Sequence, residues 1–165
     1  MFLNTDSETP VEKTRRRLMK GFAEAVQEKG YAGTTVLNIV GFAGVSKRTF
    51  YEHFNDKEAC LVACYLEGSE KLLRTMTQAI DPSVSWRDQV RKLLGTYLEA
   101  LQMNPNMIGT VFLEIQAASG RILAERRRVT QTFVDALIRF STRLSQDYSG
   151  LKRLSPEAAL ILVGG

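Results

Sequence analysis

The chain has 165 residues, 44% of them hydrophobic, enough to bury a core in one domain or in a small head joined to a larger body. Its net charge of +4 and pI near 9.2 permit an anionic partner without demanding one. The charge is evenly spread, with 8 Lys and Arg against 6 Asp and Glu in residues 1 to 55 and 14 against 12 in the rest, so any nucleic-acid signal has to be local. The opening MFLNTDSETP has no basic segment ahead of an apolar one, and no apolar run approaches the roughly 18 residues of a membrane span. The expected location is therefore the cytoplasm.

Helical periodicity dominates from end to end, and no period-two alternation is long enough for a strand, which predicts an all-α chain. Over residues 11 to 29, Leu18, Phe22, Ala25 and Val26 make an apolar stripe, and Gly30 supplies a stop. Thr34 or Thr35 can cap a short second helix carrying Val36, Ile39, Val40 and Ala43, ended by Gly44. Ser46 can cap a third, from Lys47 to about His53 or Phe54. Asn55, with Glu58 three residues on, suits the start of a fourth helix to about Ala79, a long connector from head to body.

The Asp81-Pro82-Ser83 break is followed by Ser85 and Asp88, which open a fifth helix. Its broad apolar face comprises Trp86, Val90, Leu93, Leu94, Tyr97, Leu98 and Leu101. Asn104-Pro105 stops it, a helix is expected from about 106 to 118, and Gly120 interrupts. A long helix from about Arg121 to Gln146 carries Phe133, Ala136, Leu137, Phe140 and Leu144 on one side. After a loop from Tyr148 to Leu154, Ser155-Pro156-Glu157 opens a last helix with a cap, a proline at the first position and an acid on the positive dipole end. That helix stops after about two turns while still apolar, which suggests a shortened chain. Cys60 and Cys64, four apart without a histidine or third thiol nearby, are expected to be reduced, half-buried packing residues.

The first three helices have the outline of a helix-turn-helix, which generic helical hairpins share, so the chemistry of the third helix has to discriminate. Phe50 and Phe54 stand at i and i+4 and must face the core, leaving Arg48 and Glu52 outward, Thr49 and Tyr51 on the flanks and Lys47 in the first turn. A major groove admits one such helix: Arg and Lys donate to guanine edges and a threonine methyl touches thymine. Ser46, Tyr51 and the first backbone N–H groups suit phosphates, as do Thr34 and Thr35 at the start of helix two. Lys57 sits at a positive helix end, where a phosphate would explain it. The alternative is an ordinary solvated surface for Lys47, Arg48 and Lys57 and for the cluster Lys13, Arg15, Arg16, Arg17 and Lys20, with His53 a packing or capping residue.

Residues 30 to 62, GYAGTTVLNIVGFAGVSKRTFYEHFNDKEACLV, resemble the N-terminal DNA-binding signature of the tetracycline-repressor (TetR) family of transcriptional regulators. Gly30-Tyr31, Thr34-Thr35, Ile39, Ala43-Gly44-Val45-Ser46, the aromatics Phe50, Tyr51 and Phe54, and Lys57-Glu58 fall in register. The resemblance implies a recognition helix three, with Thr35, Lys47, Arg48, Thr49, Tyr51, His53 and Lys57 at DNA-facing positions. It also implies a homodimer on a palindromic operator, a head over residues 1–56, and an effector-binding and dimerisation body over 57–165. Gly41-Phe42 inside helix two departs from the pattern, since glycine there costs roughly 0.8 to 1.0 kcal/mol relative to alanine.

In the body, Tyr97, Met103, Met107, Phe112, Glu114, Gln116 and Phe133 can enclose a pocket for an apolar small-molecule effector, although such stripes are also ordinary core. Paired carboxylates, a nucleophile with its base, a metal cluster and a phosphate-cradling glycine loop are all missing from the sequence, so neither an enzyme nor a cofactor is expected. The competing reading is a helical ligand-binding or adaptor protein without DNA binding.

Overall fold

In the computed structural model of the protein, residues 9–103 and 120–164 are described. They form seven helices and no strand: α1 (Pro10–Gly33), α2 (Val36–Ala43), α3 (Lys47–His53), α4 (Lys57–Gln78), α5 (Trp86–Met103), α6 (Arg121–Asp147) and α7 (Pro156–Gly164). The all-α expectation holds. The described residues divide into two compact units, a head ending at Tyr65 and a body beginning at Leu66. The division falls within α4 because its first turns give Cys60, Leu61, Ala63 and Cys64 to the core of the head.

In the head, Thr9 caps α1 in a reciprocal box, its backbone N–H donating to Glu12 Oε2 (2.7 Å) and its hydroxyl accepting from the Glu12 N–H (3.2 Å). The backbone N–H of Thr9, then its hydroxyl, hold the Glu12 carboxyl below its ordinary range. The folded pKa lies below the unfolded one, so this contribution is present at neutral pH and fades as pH falls through the carboxylate range. Leu18, Met19, Phe22, Ala25 and Val26 are buried, as the periodicity requires. Gly30 then leaves the helical region (φ 67°, ψ 166°), so the sequence stop is where the helix proper ends, and the Thr34 hydroxyl donates to the Gly30 carbonyl (2.7 Å).

The α1–α2 pairing turns on Gly21. A Cβ there would sit 2.6 Å from the Ile39 carbonyl oxygen and 2.8 Å from the Ala43 nitrogen, so only glycine lets the two backbones come this close. Ile39, Val40 and Ala43 bury the inner face of α2. Its outer face leaves Leu37, Gly41 and Phe42 exposed, and a Cβ on Gly41 would meet nothing within 4 Å. The fourth helix is capped by Asp56 rather than Asn55: its Oδ1 accepts from the Ala59 N–H (2.6 Å), the third helical position counted from Asp56. Cys60 and Cys64 are both buried rather than half-buried, and neither is in a disulfide.

In the body, Ser85 opens α5 as expected, exchanging bonds with Asp88. The face of α5 is narrower than its apolar residues suggest: Leu93 and Gln89 are buried, whereas Leu94 and Leu98 are each 55% exposed. Gln89 is buried because its Nε2 donates to the Val84 carbonyl (3.1 Å), which also accepts from the Tyr148 hydroxyl (3.2 Å). The α6 stripe is likewise shifted, with Ile122, Val134, Ser141 and Leu144 deepest and Phe133, Ala136, Leu137 and Phe140 half-buried. Ser141 accounts for part of this. Its hydroxyl donates to Ile138 and accepts the Leu154 N–H (3.0 Å), pinning the incoming loop to α6. The last helix opens on Ser155, whose hydroxyl accepts from Ala158, and it packs on α6 with Ala159 buried while Leu160, Ile161 and Leu162 stay exposed.

Two glycine substitutions should therefore have opposite signs in urea unfolding. Gly21→Ala is expected to destabilise by about 1–3 kcal/mol through overpacking against backbone. Gly41→Ala should stabilise by about 0.8–1.0 kcal/mol, because nothing obstructs the added methyl and the helix gains propensity. Stabilisation by Gly21→Ala would contradict the close approach of α1 to α2.

Candidate nucleic-acid interface

The α2–α3 turn is built by one glycine and one serine. Gly44 takes the left-handed conformation (φ 62°, ψ 40°), the Val45 N–H bonds the Val40 carbonyl (3.2 Å) and the Gly44 N–H bonds that of Gly41 (3.3 Å), the Schellman pattern of a helix end. Ser46 then starts α3, accepting from the Thr49 N–H (3.0 Å). Helices of eight and seven residues are too short to persist alone, and burial of Phe50 and Phe54 holds α3 in place. The two rings lie 5.7 Å apart.

The opposite face of α3 is polar and open. Arg48 donates from Nε to Glu52 Oε1 (3.2 Å), with side chains 90% and 57% exposed, and the guanidinium fork beyond Nε remains available. Lys47 lies over the Tyr51 ring at 5.9 Å, and Tyr51 in turn meets Phe50 edge-on, so the exposed aromatic is anchored from below. The Thr49 and Ser46 hydroxyls are 2.8 Å apart. Thr35 caps α2 through a reciprocal exchange with Asn38, an exposed pair at that helix's N-terminus. Asn38 is not legible in the sequence because the usual partner in that position is glutamate or glutamine.

Other site residues face elsewhere. Thr34 is buried and bonded to Gly30. Lys57 donates from Nζ to the Tyr31 (2.7 Å) and Thr34 (2.9 Å) carbonyls and sits 4.2 Å from the Tyr31 ring centroid. It thereby closes the end of α1, so its place beside a positive helix terminus is accounted for within the fold. His53 is half-buried beside Phe54, with a tilted ring 6.5 Å away. Two cations of the α1 cluster are engaged as well. Arg17 Nη2 donates to the Ala43 (2.8 Å) and Gly44 (3.0 Å) carbonyls, and Arg15 stacks over Phe54 at 4.5 Å with Nη1 3.5 Å from the His53 carbonyl. Of the candidate effector contacts, Tyr97 and Phe133 are half-buried on α5 and α6. Met107, Phe112, Glu114, Gln116 and the side chain of Met103 lie outside the described residues. No group of three or more His, Cys, Asp and Glu suited to a metal occurs among the described residues.

A buried-faced short helix presented by a glycine turn, with cations on its free face, defines a helix-turn-helix head of the kind found in DNA-binding regulators. Residues 18–64 match the model of the bacterial regulatory proteins of the tetR family. The chain is similar in fold to several solved proteins. It is similar to the fatty acid degradation regulator FadR of Bacillus halodurans (TM-score 0.79, 16% identity, covering 96% of this chain and 80% of that one). It is also similar to FadR of Bacillus subtilis, solved in complex with stearoyl-CoA (0.77, 19%, 90% and 80%), and to a tetR-family regulatory protein of Rhodococcus RHA1 (0.73, 22%, 92% and 79%).

Because Lys57 bonds two carbonyls and a ring, Lys57→Met should lower the stability of the protein by about 1–2 kcal/mol in urea unfolding at fixed ionic strength. A variant as stable as the parent would show that those carbonyls do not need the ammonium.

Proposed function

We propose that the protein is a ligand-responsive transcriptional regulator, most simply a cytoplasmic repressor, that binds a palindromic operator as a homodimer through α3. The observation that carries this reading is the division of α3 into a fully buried aromatic face and an open face bearing Lys47 and Arg48. In a two-fold dimer the two α3 helices would enter successive major grooves, about 34–36 Å apart. Arg48 and Lys47 are suited to guanine edges, Thr49 to a thymine methyl, and Ser46, Tyr51 and Thr35 to phosphates. His53 is a flanking contact. Thr34 and Lys57 serve this interface by fixing the ends of α1 and α2.

The body is assigned the effector and the dimer contact, and the role is regulation rather than catalysis. Since the similar Bacillus subtilis FadR was solved with stearoyl-CoA, a long-chain acyl-CoA is the first effector to test, with Tyr97 and Phe133 as candidate contacts.

Selection from a random duplex pool should enrich a palindrome. Arg48→Ala should then weaken binding to it by about 1–3 kcal/mol and relax the preference at one base pair in each half-site. Failure to enrich any sequence, with only a shallow salt dependence of binding, would instead support a helical adaptor whose head does not read DNA. Addition of stearoyl-CoA should release the selected duplex; retention at saturating ligand would exclude that effector.

A further inference from the structure

We propose that Arg17 is a positioning residue for DNA binding: from α1 it holds the turn between α2 and α3, and so fixes how α3 is presented, without touching the DNA itself. This rests on the reading of α3 as the recognition helix. Arg17 Nη2 donates to the last carbonyl of α2, Ala43, and to that of Gly44. These lie at the negative end of the α2 dipole, where a cation is favoured. Gly44 is two residues ahead of Ser46, the residue that starts α3, so displacing its carbonyl displaces the first turn of the reading helix. The contact spans 26 and 27 residues of sequence, which makes it a tertiary tie rather than a local cap. Two positions earlier on α1, Arg15 covers the Phe54 ring and approaches the His53 carbonyl at the other end of α3. The recognition helix is thus held from α1 at both ends.

Salt dependence separates this role from a phosphate contact. Losing one phosphate contact flattens the slope of log K against log salt by about 0.9 and weakens specific and non-specific binding alike. Losing a positioning residue leaves the charges that contact DNA in place and lowers the specific affinity alone. The full chain and its Arg17→Met and Arg17→Lys variants would be titrated by fluorescence anisotropy, with the duplex selected by the parent and with an unrelated duplex of equal length. Several salt concentrations would be used, well below each protein's Tm.

Arg17→Met is expected to weaken binding to the selected duplex by roughly three- to tenfold, with the slope and the affinity for unrelated DNA unchanged. Arg17→Lys, which keeps a cation with three N–H donors on a slightly shorter stem, should restore part of the loss. A slope flattened by about 0.9, with both duplexes weakened, would overturn the proposal in favour of a direct phosphate contact. A lower Tm with undiminished affinity would overturn it in favour of stability alone. If Arg17→Met does not fold, Arg17→Gln against Arg17→Lys gives the same comparison. Should the parent chain itself select no sequence, the DNA-binding reading fails and the proposal with it, a result distinct from a loss confined to the Arg17 variants.

Discussion

At Gly21 the backbone of α1 comes so near to α2 that a single methyl would stand 2.6 Å from the Ile39 carbonyl oxygen, and the rest of the head is arranged around that approach. Along this pairing Leu18, Phe22, Ile39 and Ala43 are buried, and so are Phe50 of α3 and Phe54 at its end. A seven-residue helix has little stability of its own, so its orientation is inherited from the pair beneath it. The first turns of α4 add Cys60 and Leu61 to the buried residues of the head, which extends to Tyr65.

Five cations of the head fall into two groups by what they bond. Arg15, Arg17 and Lys57 all point at carbonyls or rings at the ends of helices, where partial negative charge collects. Lys47 and Arg48 carry their charge outward, Arg48 tied to an acid one turn along its own helix. A modest net charge can therefore coexist with a nucleic-acid reading: the cations that matter are a few that the fold leaves open, not the total.

Local signals in the sequence located most helix boundaries, because caps and left-handed glycines act within three or four residues. Ser46, Gly44, Gly30, Ser85 and Ser155 stand where their chemistry places them. The same logic put Asn55 where Asp56 is the cap, since adjacent residues of similar capping strength differ by one step of register that only the chain path decides. Long-range ties were invisible: nothing near Arg17 announces that its partners lie 26 residues on, so it read as one of five solvated cations. Buried faces in the body were blurred for a different reason. Helices α5 and α6 carry apolar residues around more than half their circumference, so periodicity alone did not select Leu93 over Leu94, or Val134 over Phe133.

Position 44 is constrained twice. Its φ of 62° excludes most side chains, and asparagine is the usual alternative to glycine in that conformation. Here a Cβ would also lie 3.1 Å from Arg17 Nη2, so the guanidinium would have to shift by a few tenths of an ångström and lengthen the bonds that hold the turn. Substitutions at 17 and 44 should consequently be non-additive. In lineages that diverge from this chain, asparagine would be accepted at 44 more readily after the arginine has been lost than before it, which gives the order of the two changes a direction.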